Sequence, residues 1–431
     1  MSPELIGLLG VIVLLIFIMF KVPIGFSMLL VGVIGYGVVI GPTAALAKMG
    51  TDLFNNTHNY SLSVIPMFTL MGMFIGSAGL GKDMFKAFNA WFGHIRGGLA
   101  IAAIITCAAF AAVSGSVIAT TATIAVIAVP EMRRMKYADS LAAGSVASGS
   151  TLGILIPPSS VLIIYGVLTE ESIGQLLVAG IVPGIITAIL LAVTAYLMVL
   201  VKPELAPGSP KTPMKERFRS LKPIWPIPAI FLFTMGGIYL GVFTPTEGGA
   251  MGAFLALIFC LISRRMNMKA FLAAFYDTVK VGGMLMVIVV GGIIFGNFIS
   301  VSQIPGYLAV HMAKMPPALL LATIFFAYFV SGFFMDAMAT LVIFTSLFYP
   351  LIKHAGFDGV WYGIITILMI LIGFLTPPVG VVSVVTSGIT KIKLETVFKG
   401  TIPFWFALIA STILLMFFPQ IATFLPNLME K

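Results

Sequence analysis

The chain has 431 residues, of which 60% are hydrophobic and 9% charged, with a mean hydropathy of +1.12. So few charges over so great a length exclude a soluble globular protein and indicate a polytopic membrane protein. The net charge of +9 does not point to nucleic acid, because the basic residues lie between apolar stretches rather than along one face; they read as topology signals.

Met1-Ser2-Pro3-Glu4 lacks the basic start of a signal peptide, so 5–20 is expected to be a retained, short first span. Further ordinary spans are predicted at 24–41, 60–80, 176–201, 224–243, 246–262, 281–300 and 401–425. Residues 81–97 interleave Phe85, Phe88, Trp91 and Phe92 with Lys82, Lys86, His94 and Arg96, a pattern for an amphipathic helix along the membrane surface. Four stretches differ. Residues 98–130 and 317–350 are long and apolar but interrupted centrally, the first by Ser114-Gly115-Ser116, the second by Ser331-Gly332 and Met335-Asp336-Ala337. Residues 140–168 and 356–390 are broken by Pro157-Pro158 and Pro377-Pro378.

The breaks repeat. Gly153-Ile154-Leu155-Ile156-Pro157-Pro158 and Gly373-Phe374-Leu375-Thr376-Pro377-Pro378 are 220 residues apart. The same offset carries Ala119-Thr120 onto Ala339-Thr340, Pro130 onto Pro350, and Gly72 and Gly76 onto Gly292 and Gly296. Apolar spans broken at corresponding points of two halves mark a secondary transporter. If 98–130 and 317–350 are hairpins that enter and leave on one face, and the Pro-Pro stretches are broken spans, each half makes five crossings. With the N-terminus outside, 20 of the 24 Lys and Arg then fall inside, leaving Lys48, Lys314, Lys353 and Lys431 outside. Reading 98–130 as a crossing would instead put the basic 202–222 stretch outside. An odd number of crossings inverts the second half. The expected fold is an all-α polytopic membrane protein, an inverted-topology repeat with two re-entrant helical hairpins and two broken helices. Its parts are a first repeat at 1–201, a cytoplasmic linker at 202–222 and a second repeat at 223–431.

Non-helical backbone at membrane depth must be buried in protein or line a wet cavity. Carbonyls released there, with Ser and Thr hydroxyls, suit a hard cation such as Na⁺, whereas zinc would call for Cys or His. Cys107 and Cys260 lie in apolar stretches, and the four histidines are scattered. An isolated Ser or Thr would simply bond back to its own helix, but a tip paired with a break in both repeats favours an ion site. Half-helices restarting after each break present amides and positive dipole ends to an anionic group. Asp336 leaves three readings open: it ligates a cation, accepts a proton, or caps the following half-helix. Thr244-Pro245-Thr246-Glu247 reads as a helix start. The chain carries no Walker A, HExxH or GxSxG motif, so it reads as neither a nucleotide hydrolase nor an intramembrane enzyme.

Ser114-Gly115-Ser116 through Pro130-Glu131-Met132, the Gly153-to-Ser159 break, Thr244 to Glu247 and the Met335-Asp336 tip together resemble the large membrane subunit of TRAP transporters, the DctM type, over nearly the whole chain. Gly248-Gly249 stands where alanines are more usual, a departure expected to affect helix packing. The resemblance implies Na⁺-coupled uptake of an organic acid, sialic acid or a C4-dicarboxylate, by an elevator mechanism. It implies a bacterial inner-membrane location with a periplasmic N-terminus, a small four-span membrane subunit and a periplasmic substrate-binding protein. By the same resemblance one sodium ion would draw on Ser114, Ser116, Gly153 and Pro157, and another on Gly332, Asp336, Gly373 and Thr376. Ser116, Thr120, Ser159, Ala337 and Thr340 are the expected substrate positions. The alternative is a self-sufficient Na⁺/dicarboxylate-type carrier with no binding protein. An ion channel would require a continuous polar stripe, which short, separated tips do not supply.

Overall fold

The computed structural model describes residues 2–208, 211–312, 315–332 and 335–429; Met1, Lys314 and Lys431, which enter the readings above, lie outside them. Among the described residues every regular element is helical. The first hairpin consists of Gly98–Ser114 and Val117–Arg134, the second of Pro317–Ser331 and Ala337–His354. The first broken span is Asp139–Thr151, a tight turn at Leu152–Ile154, and Ser160–Thr169; the second is Gly359–Leu375 and Val381–Thr390. Both Pro-Pro bonds are cis. Five of these segments fall among the apolar helices of 10–17 residues, too short to cross a bilayer alone, as elements that break in mid-membrane must be.

Polar helices are where hydropathy fails. Pro42–Thr57 was not expected, because Lys48, Thr51, Asp52 and Asn56 dilute its apolar content, yet Gly41 and Pro42 start it cleanly. The span predicted at 281–300 is Met268–Val301, capped by the Asn267 side chain on Ala270 N; Lys269, Asp277 and Lys280 are compatible with a helix although they are not apolar. The first hairpin extends past 130 to Arg134 with Pro130 inside it. The predicted span 401–425 is Leu394–Phe417, stopped at Phe418 because the residue before Pro419 is pushed out of the helical region. The short helices Ile304–Met312 and Gln420–Met429 were also missed.

These added helices complete the repeat. At the 220-residue offset, Pro42–Thr57 with Val64–Ser77 corresponds to the single helix Met268–Val301, and Leu80–Phe92 to Ile304–Met312. Ile24–Val39 lies along Met268–Val301, and its repeat mate Pro245–Ile262 lies along Val64–Ser77. Small residues make both approaches possible. A Cβ on Gly25 would stand 2.8 Å from the Val287 backbone, and one on Gly249 3.0 Å from Met67 Cβ, so the unusual glycine pair does serve packing. The second arm of each hairpin likewise packs on the second segment of the other half's broken span. Contacts that recur with the halves exchanged are those of a two-fold relation.

The basic loops share one surface. Arg265 pairs with Asp83 at 2.5 Å. Leu80–Phe92 forms the expected amphipathic helix, and the linker helix Met214–Leu221 docks on it, Trp91 Nε1 donating to Arg217 O at 3.1 Å. Ala138 N donates to Leu205 O at 2.9 Å, and Arg133 reaches Thr390 O at 3.3 Å.

The tightest approach to another backbone lies where Leu394–Phe417 crosses Asp139–Thr151: a Cβ on Gly400 would meet Ser140 O at 1.9 Å. Gly400→Val should therefore destabilise by roughly 1–3 kcal/mol, visible as a lower melting temperature in detergent. Gly236→Val, with no atom within 4 Å of its added Cβ, should change little; equal melting temperatures would contradict this packing.

Candidate translocation site

Each hairpin tip sits directly on the break of its own repeat, and glycine makes the contact. Gly115 ends the first arm in a left-handed conformation, φ +58°, and a Cβ there would lie 2.3 Å from Pro158 O. A Cβ on Gly153 would lie 2.9 Å from Val117 N. Ser116 restarts the helix: its Oγ accepts from Ala119 N at 3.3 Å, and its carbonyl accepts from Thr120 Oγ1 at 2.8 Å. Thr120 Oγ1 is also 3.0 Å from Ser114 Oγ. Pro157 and Pro158 have no N–H, so the carbonyls of Gly153 and Ile154 lose their normal helical donors. Ser159 replaces one, donating from Oγ to Ile154 O at 2.6 Å while accepting from Leu162 N at 3.2 Å.

The second tip reaches the same result differently. Gly332 and Gly373 meet backbone to backbone; a Cβ on Gly332 would lie 2.6 Å from Gly373 Cα. Asp336 caps its half-helix, Oδ1 accepting from Ala339 N at 2.9 Å, while the residue itself stays exposed. The capping role is thus realised, and it leaves the other carboxylate oxygen without a hydrogen bond among the described residues. Thr376 Oγ1 donates back to Ile372 O at 2.7 Å, the ordinary helical bond. Thr340 Oγ1 is buried with no partner among the described residues.

Both tips open on one cavity of about 1340 Å³. Four helix N-termini border it, those of Val117–Arg134, Ser160–Thr169, Ala337–His354 and Val381–Thr390. The facing wall is mostly apolar, from Ile24–Val39, Val64–Ser77 and Met268–Val301. Of the residues proposed for sodium, Ser114, Ser116 and Asp336 line the cavity, whereas Gly153, Pro157, Gly332, Gly373 and Thr376 belong to the tips and breaks but do not line it. Of those proposed for substrate, Ser116 and Ala337 line it; Thr120, Ser159 and Thr340 are buried behind it. Ser160 also lines it and was missed, although its place at the start of a half-helix after the break was a usable signal.

Polar clamps join the hairpins to the broken spans. Lys353 Nζ lies 3.1 Å from Glu171 Oε1, and Tyr349 OH donates to the same carboxylate. Arg133, the repeat mate of Lys353, holds Thr390 O and binds Asp139 through Nε and Nη2 at 2.7 and 2.9 Å. A second, polar cavity of about 1020 Å³ lies between this body and the other helices, lined by Lys48, Asp52, Asn297, Glu170 and Tyr349. Asp52 is buried there, bonded by Lys48 at 2.9 Å and Asn297 at 2.7 Å.

A family model described as "Tripartite ATP-independent periplasmic transporter, DctM component" matches residues 11–421. The chain belongs to this family. It is 34% identical over 387 residues to the C4-dicarboxylate TRAP transporter large permease protein DctM of Pseudomonas aeruginosa, covering 89% of this chain and 90% of that one. It is 35% identical over 405 residues to the ectoine/5-hydroxyectoine TRAP transporter large permease protein UehC of Ruegeria pomeroyi, covering 92% of each. The solved YdaH transporter of Alcanivorax borkumensis covers 88% of this chain and 90% of its own, with a TM-score of 0.60 and 16% identity, a likeness of fold. This DctM component is therefore a multi-span membrane transport protein and not an enzyme.

Seating of the first tip on its break should be indispensable to transport. Gly153→Ala should reduce uptake by the reconstituted transporter at least about tenfold. Gly76→Ala, whose Cβ would make only an ordinary 3.8 Å contact, should retain uptake; normal uptake by Gly153→Ala would show that the seating is dispensable.

Proposed function

We propose that this DctM component is the translocating subunit of a sodium-driven importer of an organic acid at the bacterial inner membrane, with its N-terminus periplasmic. The observation that carries the reading is the cavity bordered by four helix N-termini and two glycine-seated tips. Among the described residues no Lys, Arg or His lines that cavity. A bound carboxylate must then be balanced by amide dipoles and by bound cations. Backbone carbonyls released by the prolines, together with Ser114, Ser116, Asp336, Thr376 and the unpartnered Thr340 hydroxyl, offer the oxygen-only surroundings that suit Na⁺.

Sodium would bind at each tip, remove the repulsion between a carboxylate substrate and Asp336, and raise substrate affinity. That differential affinity is the coupling. Vertical movement of the hairpins and broken spans as one body would then expose the site alternately. The two cavities lie along the boundary between that body and Met268–Val301, one lined by Ala270 to Ile288 and the other by Gly292 to Gln303. The larger is bordered by Pro23 and Ala270, within two residues of Lys21 and Lys269, which the charge count makes cytoplasmic. A four-span small membrane subunit as heterodimeric partner and a periplasmic binding protein complete the system. Membership of a tripartite family favours this over a self-sufficient carrier. Sialic acid and C4-dicarboxylates remain the expected substrate classes at this level, and the ectoine relative widens the range to carboxylates that also carry a cationic group.

Uptake into proteoliposomes containing the complete transporter should require an inward sodium gradient, and Ser116→Ala and Asp336→Ala should raise the sodium concentration needed for half-maximal rate. Undiminished uptake when choline replaces sodium would refute sodium coupling.

A further inference from the structure

Asp277 is a carboxylate that neither the packing nor the proposed ion sites use. It stands on Met268–Val301, on the stripe running from Ala270 through Asp277 and Val281 to Ile288 that forms one wall of the large cavity. That spacing is one face of a helix, and Asp277 is its only charge; Lys280 is not part of the lining. Asp277 is exposed to the cavity and has no ion pair or hydrogen bond among the described residues. An unpaired carboxylate facing a cavity with no basic lining among the described residues is free to pair with a charged group of a ligand.

Its depth follows from three contacts. Phe74 meets Phe271 and Phe275 with ring centroids 5.9 Å apart in both cases, and Pro66 Cβ lies 3.8 Å from where a Cβ on Gly282 would be. Residue numbers rise on one helix as they fall on the other, so the two run antiparallel. Gly72 is therefore level with a residue close to 276, within about one turn. A Cβ on Gly72 would touch Ser114 Cα at 2.9 Å. Asp277 thus stands at the level of the first tip, on the opposing wall of the same cavity.

We propose that Asp277 receives a cationic group of the substrate, so that the transported acid carries one carboxylate and one positive centre rather than two carboxylates. This rests on the reading above that the tips and half-helix N-termini hold the anionic end. With the carboxylate held there, the far end of a short substrate faces Asp277, and among the described residues no basic side chain lines the cavity to receive a second carboxylate. A dicarboxylate would place like charges together, whereas an ammonium or amidinium group would form the missing pair.

Three four-carbon probes separate these cases: γ-aminobutyrate, butyrate and succinate, differing only in the far end. Thermal stabilisation of the purified transporter in sodium buffer should give an apparent affinity for γ-aminobutyrate at least about tenfold tighter than for succinate, with butyrate between. Asp277→Asn should bring the three within about twofold, and Asp277→Glu should preserve the order. Succinate binding as tightly as γ-aminobutyrate, an order unchanged in Asp277→Asn, or no preference among the three would each overturn the proposal. An order that persists with choline in place of sodium would uphold it while removing the sodium reading.

Discussion

A proline pair inside a bilayer leaves two carbonyls without their helical donors, and hydrocarbon cannot supply replacements. The rest of the architecture answers that constraint. Each break is covered by a hairpin tip that reaches it from within the membrane, and glycine at the contact lets backbone meet backbone. At the first break a serine hydroxyl takes over one orphaned carbonyl; at the second, Gly373 O accepts from Thr376 N at 3.1 Å. Oxygen left without a donor is what a sodium ion could use, so the structural liability and the proposed ion sites share one origin.

The clamps explain why the hairpins and broken spans form a unit. Arg133 and Lys353 stand 220 residues apart; Arg133 binds the last residue of the second broken span, Thr390, and Lys353 binds Glu171, just past the end of the first. The remaining helices pair across the halves through small residues, Gly25 on Met268–Val301 and Gly249 on Val64–Ser77. Leu394–Phe417 packs on Asp139–Thr151 through Gly400 and so belongs with the hairpins and broken spans. A cavity lies toward each end of the boundary between that body and Met268–Val301, which is what the proposed elevator movement would need. The tips are related but unequal: the first is built on hydroxyls, the second on one carboxylate.

Much of this was legible in the sequence. Doubled motifs at a fixed offset located both hairpins and both breaks, and the distribution of Lys and Arg separated hairpins from crossings. Hydropathy could not see Pro42–Thr57 or the first turns of Met268–Val301, since Lys48, Asp52 and Asn56 on the one and Lys269, Asp277 and Lys280 on the other dilute the apolar content, and of these Lys48, Asp52, Asn56 and Asp277 face the cavities. Site membership was legible as a list of oxygen-bearing residues but not as an arrangement. That Thr120 and Ser159 spend their hydroxyls inside the tips, or that Asp277 shares the cavity, depends on packing between helices distant in the chain.

The central claim is that the hairpins and broken spans, with Leu394–Phe417 packed on them, move as one body against Ile24–Val39, Val64–Ser77, Pro245–Ile262 and Met268–Val301. Spin labels at Lys391 and Arg264 report across the boundary, and labels at Lys136 and Lys391 report within the body; all three residues are exposed. In the membrane-reconstituted transporter, pulsed electron resonance should give two populations for the first pair, shifting between sodium and choline buffers, and one constant distance for the second. A single, invariant distance for the first pair, or a change within the body as large as the change across it, would contradict the account.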